Sequence, residues 1–257
     1  MNKRMYLPQV RTEWLKLKQT PILWLALVGG LTVSLLMTLV YYFNPQKLIR
    51  FSTNPWAEFY QIGYHIISLV MIVPYLVLVA ASVHQLEHQS GGWKYLYSLP
   101  VSRLGIYVAK VVMLVVLAVL PVLVFLISSL LCGQFLSLTR PFYEFQFYPS
   151  GVLLAANNLF HAGVASAGVL GIHFWLGFRF KGYIVPIALG LLGFIVSIIV
   201  FERWAWAEYF PYSFPTSLQD DTSIFFGLSS VEWRSLLWFV CFVGLGYLQD
   251  RKRDIVD

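Results

Sequence analysis

Six long apolar runs, separated by short polar stretches, dominate the pattern along the chain. A helix that crosses a bilayer needs about 20 consecutive, mostly apolar residues, and the runs approach or exceed that length. Pro74 falls inside the second run, where it predicts a kink. Pro121 falls inside the third run, which is long enough to tilt in a bilayer. The predicted transmembrane helices are Ile22–Phe43, Ile62–Val83, Leu104–Leu131, Gly151–Leu176, Tyr183–Phe201 and Trp233–Leu248.

The composition excludes an ordinary soluble protein. Of the 257 residues, 58% are hydrophobic and only 12% are charged, whereas a soluble domain carries about 25% charged residues. Six spans use about half of the chain and leave short connections, with no room for a second sizeable domain. We therefore expect an all-α fold, a polytopic membrane helix bundle that forms a single transmembrane domain over residues 1–257.

The distribution of positive charge predicts the orientation. With the N-terminus placed in the cytoplasm, thirteen of the 18 Lys and Arg residues fall on the cytoplasmic side. Positively charged residues concentrate on that side of a membrane, so both termini are predicted to be cytoplasmic, in agreement with six spans. The same partition accounts for the net charge of +6. We therefore predict a lipid bilayer, and no nucleic acid, as the partner of the basic residues.

Small residues recur at four-residue intervals in the fourth run, at Gly163, Ala167 and Gly171. Small side chains let helices approach closely in lipid, so these three residues are predicted to pack against a neighbouring helix. Such spacing is common in membrane bundles and does not indicate a particular function.

Polar side chains inside the apolar runs allow two interpretations. Asn157, Asn158 and His161 lie in the half of the fourth run that the orientation places outside. Polar groups at membrane depth are costly and often mark a substrate path, but hydrogen bonds between helices are the other common reason for them. His173 lies nearer the cytoplasmic end, where its ring is expected to reach the interface.

Two segments on the predicted cytoplasmic side combine basic and apolar residues. The string "RTEWLKLKQT" belongs to a predicted interfacial helix of about residues 8–20; a positive flank that only sets the orientation is the alternative. Residues 84–103 form the second segment, which is too polar to span and too aromatic for a free loop. Gly91 and Pro100 bound a predicted short helix beneath the membrane, and its apolar surface suits a soluble partner.

The string "GGWKYLYSLPVSRLGIYVAK", together with Glu87, resembles the coupling segment of bacterial type-2 ABC (ATP-binding-cassette) permeases. Members of that family typically show a glutamate, a Gly-Thr pair, a leucine-rich stretch ending in Leu-Pro-Val-Ser-Arg, and then a tyrosine and a lysine. The opening "RTEWLKLKQTPILWL" is similar to the start of that family, especially of its lantibiotic-immunity-type members. Gly92 and Trp93 stand where glycine and threonine are usual in the family.

The resemblance implies a permease subunit of the cell membrane that exports a lipophilic or peptide cargo and is not itself an enzyme. No G-x-x-x-x-G-K-[ST] phosphate-binding motif occurs in the sequence. The resemblance therefore implies ATP and Mg²⁺ on a separate cytoplasmic ABC ATPase, no cofactor in this chain, and a second permease chain, identical or paralogous. The residues that the resemblance assigns to ATPase coupling are Glu87, Gly91, Trp93, Lys94, Tyr95, Leu96, Leu99, Pro100 and Arg103.

Two other functions fit parts of the sequence. His84, Glu87 and His88 form the H-x-x-E-H pattern of a class of zinc proteases, with both histidines on one helical face. A pattern of five residues also arises by chance, and no acidic motif downstream supplies the further zinc ligand. An ion-coupled carrier or channel is the other alternative, but no Asp or Glu lies at the centre of a predicted span.

The last predicted outer loop, Glu202–Ser230, is the longest. Part of it is able to dip back into the membrane as a short helix, which is tolerated where protein buries it. A mobile surface loop is the alternative.

Overall fold

The computed structural model of the chain describes residues 7–18, 20–43, 54–90, 102–201, 207–217, 224–225 and 227–251. Within these residues we number the long helices α1 to α8. They are Leu7–Lys18 (α1), Ile22–Phe43 (α2), Pro55–Ile66 with a π-helical turn Ile67–Met71 and Ile72–Ser90 (together α3), Arg103–Thr139 (α4), Val152–Ala165 (α5), Ala167–Arg179 (α6), Ile184–Phe201 (α7) and Ser230–Arg251 (α8). The short elements are the 3-10 turns Pro141–Tyr143, Phe145–Phe147 and Ala207–Tyr209, the helix Phe214–Ser217, and the antiparallel strands β1 (Ile224–Phe225) and β2 (Leu228–Ser229).

All six predicted runs are helical. By length and apolar composition, α2, α3, α4 and α8 are each able to cross a membrane. α5 and α6 meet the same criterion together as a bent pair, which gives up to five spans, and α7 is apolar but shorter, over Ile184–Ile199. The chain is therefore an all-α polytopic bundle, as predicted. A sixth span and the side of the termini stay predictions.

The interior of the bundle lies between closely packed helices. α2 packs along α4, α6 packs against both α8 and α3, and α1 lies against the start of α4. Aliphatic side chains on the outward faces of α2, α4 and α7 remain exposed, as suits a bundle surrounded by lipid tails. The largest buried apolar side chains are Phe59, Phe125, Phe145, Phe174, Phe214, Leu17, Leu114, Leu117 and Leu136.

The predicted fourth span, Gly151–Leu176, is broken in the structure. α5 ends at Ala165 and α6 starts at Ala167, with a bend of 44° between them. The buried hydroxyl of Ser235, on α8, accepts a hydrogen bond from the Gly168 amide and donates one to the Ala165 carbonyl, each at 2.8 Å. Backbone groups at a break inside a membrane need such partners, because no water is present to bond them.

The kink predicted at Pro74 takes another form. The turn Ile67–Met71, just before the proline, is π-helical, and the Ile72 amide bonds to the Ile67 carbonyl five residues earlier. Proline has no amide hydrogen to donate to the preceding turn, so the ladder of hydrogen bonds is disturbed there. α3 nevertheless continues as one span over Pro55–Gln85.

Pro121 also leaves a carbonyl without its usual partner, because it has no amide to bond to Leu117 four residues earlier. The Tyr75 hydroxyl, on α3, donates a hydrogen bond to the Leu117 carbonyl at 2.6 Å. A side chain from a neighbouring helix thus satisfies the carbonyl that the proline frees, and it links α3 to α4.

Replacing Tyr75 with phenylalanine is expected to lower the free energy of unfolding by about 1–3 kcal/mol, because the buried Leu117 carbonyl loses its donor. Chemical denaturation of the purified chain in detergent measures this change. In a Pro121→Ala background, the amide of Ala at position 121 bonds to the Leu117 carbonyl. Tyr75→Phe is therefore expected to lower the free energy of unfolding by clearly less than it does in the wild-type background. Equal costs in the two backgrounds would contradict the assignment.

Candidate functional site

Two polar features stand out in this apolar bundle, one at each end. The first lies where α1 meets the start of α4, and we refer to this as the α1 end. Leu17 and Glu13 on α1 are both buried against the bundle, while Leu15 on the other side of the helix is exposed. α1 is therefore docked on the bundle through one face. Its position in a membrane interface stays a prediction.

A buried ion pair fixes α1 to α4. The Lys110 ammonium lies 3.0 Å from the Glu13 carboxylate, and Lys16 contacts the other carboxylate oxygen at 2.7 Å. The Lys110 side chain is fully buried, whereas the Lys16 side chain is 30% exposed. A buried charge is costly unless it is paired, so α1 and the first turns of α4 depend on each other.

Both residues of this pair belong to the two strings that resemble the permease family. Glu13 lies in "RTEWLKLKQT" and Lys110 ends "GGWKYLYSLPVSRLGIYVAK". The sequence analysis identified the strings but did not pair them, because 97 positions separate the two residues. The only signal for the pairing was an isolated lysine inside an apolar run, which requires an acidic partner.

The predicted coupling segment is only partly described. Glu87 lies in the last turns of α3, and Arg103 is the first residue of α4, after Ser102, whose hydroxyl caps the helix by accepting from the Gly105 amide at 3.1 Å. The roles assigned to these residues stay predictions. Those outside the described residues are Gly91, Trp93, Lys94, Tyr95, Leu96, Leu99 and Pro100.

The two histidines of the H-x-x-E-H pattern lie within hydrogen-bond distance of backbone carbonyls. His84 is fully buried, and its Nδ1 is 3.1 Å from the Ala80 carbonyl. His88 Nε2 is 2.9 Å from the carbonyl of Gly177 on α6. Among the residues that the structure describes, no three His, Cys, Asp or Glu side chains are grouped as a metal site requires. The His88 hydrogen bond joins α3 to α6, whereas the His84 hydrogen bond lies within α3.

The second polar feature is a cleft at the end of the bundle opposite α1, with a volume of about 640 Å³. Its walls come from the first half of α3, from α5 and from the region where α8 begins, and Phe125 of α4 contributes to the cleft as well. The polar residues that line it are Asn54, Tyr60, Gln61, Tyr64, His65, Ser150, Asn158, His161, Ser229 and Glu232.

Glu232 is the acidic residue of this cleft, and α8 holds it in place. Its carboxylate accepts a hydrogen bond from the Ser229 amide at 2.7 Å, while its own amide donates to the Ser229 hydroxyl at 3.3 Å. This reciprocal arrangement is a capping box at the start of α8. The other carboxylate oxygen is 2.8 Å from His161 Nδ1 on α5. Glu232 is 1% exposed and His161 is 26% exposed, so the pair forms part of the wall.

The cleft brings together two of the three residues predicted for a substrate path. Asn158 and His161 both line it, but Asn157 does not. The sequence analysis missed Glu232, since it placed the last span from Trp233 onward. The pattern of Ser229 followed three residues later by Glu232 was the signal that could have found it, because it marks a helix start.

His173 does not reach the interface as expected. Its side chain is fully buried, and its Nε2 is 2.8 Å from the hydroxyl of Tyr212. Tyr212 belongs to residues 207–217 of the long loop, in which Ser213 and Phe214 are fully buried. This part of the loop therefore packs into the bundle; its entry into the membrane stays a prediction. His173 holds the loop there.

The three small residues of the fourth span lie in different surroundings. A Cβ atom added at Gly171 would lie 2.7 Å from the Phe239 Cα atom of α8, so the two backbones are in close contact. At Gly163 an added Cβ would meet no atom within 4 Å. Ala167, the first residue of α6, lies between them and is half-buried.

The comparison with known families points to membrane transport. A family model described as "ABC-2 family transporter protein" matches residues 9–197, a range that includes both Glu13 and Lys110. No curated protein and no solved structure matches the chain. The matched range covers most of α1 and all of α2 to α6, and it ends before α8.

Proposed function

The chain belongs to the ABC-2 family of transporter proteins, and from this premise we propose that it is the permease subunit of an ATP-driven exporter. It is a multi-pass membrane protein, and the family accounts for a transport role without catalysis in this chain. In the proposal, a separate cytoplasmic ABC ATPase binds ATP and Mg²⁺, and a second permease chain completes the transporter. The cargo is lipophilic or peptidic and leaves through the cell membrane.

The proposed orientation has six spans and both termini in the cytoplasm. The excess of Lys and Arg on that side supports it. The bent pair of α5 and α6 then forms the fourth span, and α7 forms the fifth. The α1 end is cytoplasmic in this arrangement, and the cleft lies in the outer half of the membrane.

The observation that carries the proposal is that α3 and α4 extend from the predicted coupling segment to the cleft. The C-terminal turns of α3 and the start of α4 flank residues 91–101, the centre of the predicted coupling segment. At the other end, α3 lines the cleft with Gln61 and His65, and α4 lines it with Phe125. A force applied by an ATPase to the coupling segment therefore acts on two helices that form the cleft.

The Glu13–Lys110 pair holds the start of α4 in place at the end that we propose to be cytoplasmic. α4 has 37 residues and is about 55 Å long at 1.5 Å per residue, so a small rotation at its start displaces its far end. The buried ion pair makes α1 and the first turns of α4 move together. In the proposal, α1 holds the start of α4 in a fixed orientation. A displacement at the cytoplasmic end is therefore transmitted along α4.

The double variant Glu87→Lys with Leu99→Asp tests the proposal. We expect binding of the ATPase subunit to weaken at least about thirtyfold, since a single residue central to an interface contributes about 2 kcal/mol. Binding is measured by titrating the purified ATPase onto membrane vesicles that contain the chain. With inverted vesicles the wild-type chain is expected to bind it, and with right-side-out vesicles it is not.

Glu144→Lys is the matched control, because Glu144 is exposed in the loop after α4, at the end opposite α1. This charge reversal is expected to leave ATPase binding unchanged. Unchanged binding by the double variant would show that the coupling segment is misassigned. Binding to right-side-out vesicles would overturn the orientation.

A further inference from the structure

The cleft at the outer end has the dimensions of a ligand site. Its volume of about 640 Å³ falls in the range of about 300–1,000 Å³ that is common for small-molecule sites. Tyrosine and amide groups line it together with apolar residues such as Phe125 and Leu159. This mixture suits a ligand with an apolar body and a polar head.

The cleft borders a surface that faces lipid. On α5, Leu154 lines the cleft and is 65% exposed, and its neighbour Leu153 is 84% exposed. Phe160, one position before His161, is also exposed. Large apolar side chains that stay exposed on a membrane helix contact lipid tails. A ligand is therefore able to enter from the bilayer between α5 and its neighbours.

The charges of the cleft select the head group of the ligand. Among the described residues that line it, Glu232 is the acidic residue, no Lys or Arg is present, and His65 and His161 are the other titratable groups besides tyrosines. The Glu232 carboxylate is therefore the acidic group that a ligand meets in this region of low dielectric. An anionic head is repelled there, whereas a cationic head is attracted.

We propose that this cleft binds amphiphiles with an ammonium head group, which the Glu232 carboxylate accepts in place of the His161 ring nitrogen. The capping box holds the carboxylate in position, so the site needs little reorganisation. The side chains of Tyr60 and Tyr64, on α3, line the same cleft and add cation–π attraction for the head group. That such amphiphiles are the exported cargo rests on the proposed function, but their binding does not.

Dodecylamine is the probe, added at pH 7 to the purified chain in phosphatidylcholine nanodiscs and followed by isothermal titration calorimetry. The heat measured with empty nanodiscs is subtracted. We expect saturable binding of dodecylamine and none of dodecanoate. Glu232→Gln is expected to weaken binding at least about tenfold, since it removes the charge. Glutamine keeps a side-chain oxygen for the capping box.

Two pairs of variants make the test specific. Asn158→Trp fills the cleft and is expected to abolish binding, whereas Asn157→Trp changes an exposed neighbour that does not line it and is expected to bind normally. Glu208→Gln removes an exposed acid near α8, paired with Arg234, and is also expected to bind normally. If Glu232→Gln does not fold, the comparison of Asn158→Trp with Asn157→Trp still tests whether dodecylamine binds in the cleft.

Equal binding of dodecanoate and dodecylamine, or normal binding by Asn158→Trp, would overturn the assignment. Because the assay contains no ATPase, its failure leaves the coupling proposal intact. A chain that binds dodecylamine but not the ATPase would keep the cleft assignment and contradict the proposed function.

Discussion

Replacing Lys110 with methionine is expected to lower the free energy of unfolding by about 3–5 kcal/mol, because it leaves the buried Glu13 carboxylate without its buried cation. Methionine matches the length and apolar stem of lysine, so the loss reports on the charge and not on packing. The consequence reaches beyond stability, since α1 loses its fixed position on α4. In the assembled transporter we expect ATP hydrolysis that is poorly coupled to transport.

Lys16→Met is the matched control for this variant. Lys16 also contacts Glu13, but it is 30% exposed and lies on the same helix three positions away. Such pairs contribute about 0.2–0.5 kcal/mol, so the control is expected to remain close to the wild type. Chemical denaturation in detergent gives the values. Similar losses for Lys16→Met and Lys110→Met would contradict the central role of the buried pair.

The double variant Glu13→Gln with Lys110→Met completes the test. Removing both charges leaves neither one buried alone, so its cost is expected to be smaller than the sum of the single costs by about 0.5–3 kcal/mol. Additive costs would mean that the two residues stabilise the bundle independently.

Gly171→Ala is expected to be the second most damaging change, with a loss of about 1–3 kcal/mol. The added methyl group would lie 2.7 Å from the Phe239 Cα atom and 3.0 Å from the Phe239 carbonyl oxygen. Because these are backbone atoms, a change of side-chain rotamer cannot relieve the clash. The helices α6 and α8 therefore have to move apart. Denaturation in detergent measures the loss.

Gly163→Ala is the comparison for Gly171→Ala, because it is not expected to lower the free energy of unfolding. No atom lies within 4 Å of its added methyl group, so alanine is neutral or stabilises the helix by up to about 1 kcal/mol. Equal effects at the two positions would show that backbone contact between α6 and α8 does not limit the fold. A second copy of the chain packed on Gly163 would instead make this variant destabilising in the assembled transporter.

The helices were largely predictable, because apolar runs of span length have few other uses. The predicted and observed bounds of α2 coincide at Ile22–Phe43. The break at Ser166 was not predictable from local pattern, because Ser235 stabilises it from another helix. For α3, Pro74 predicted a kink, but it did not predict that the preceding turn is π-helical.

The candidate site was predictable to a smaller extent. Asn158 and His161 were identified as polar groups at membrane depth, and both line the cleft. The Glu13–Lys110 pair was missed because its two residues lie on different helices, and Glu232 was missed because the last span was placed from Trp233 onward. A polarity pattern can show that a partner is needed, but only the packing of helices shows which residue it is.

The Ser235 hydroxyl also bears on how the protein is made. It bonds to backbone groups of Ala165 and Gly168, which leave the ribosome before α8 does. While the nascent chain is being inserted, the bend between α5 and α6 therefore lacks this hydroxyl until α8 follows. The bend between α5 and α6 thus gains these two hydrogen bonds only after α8 has been synthesised and packs against it.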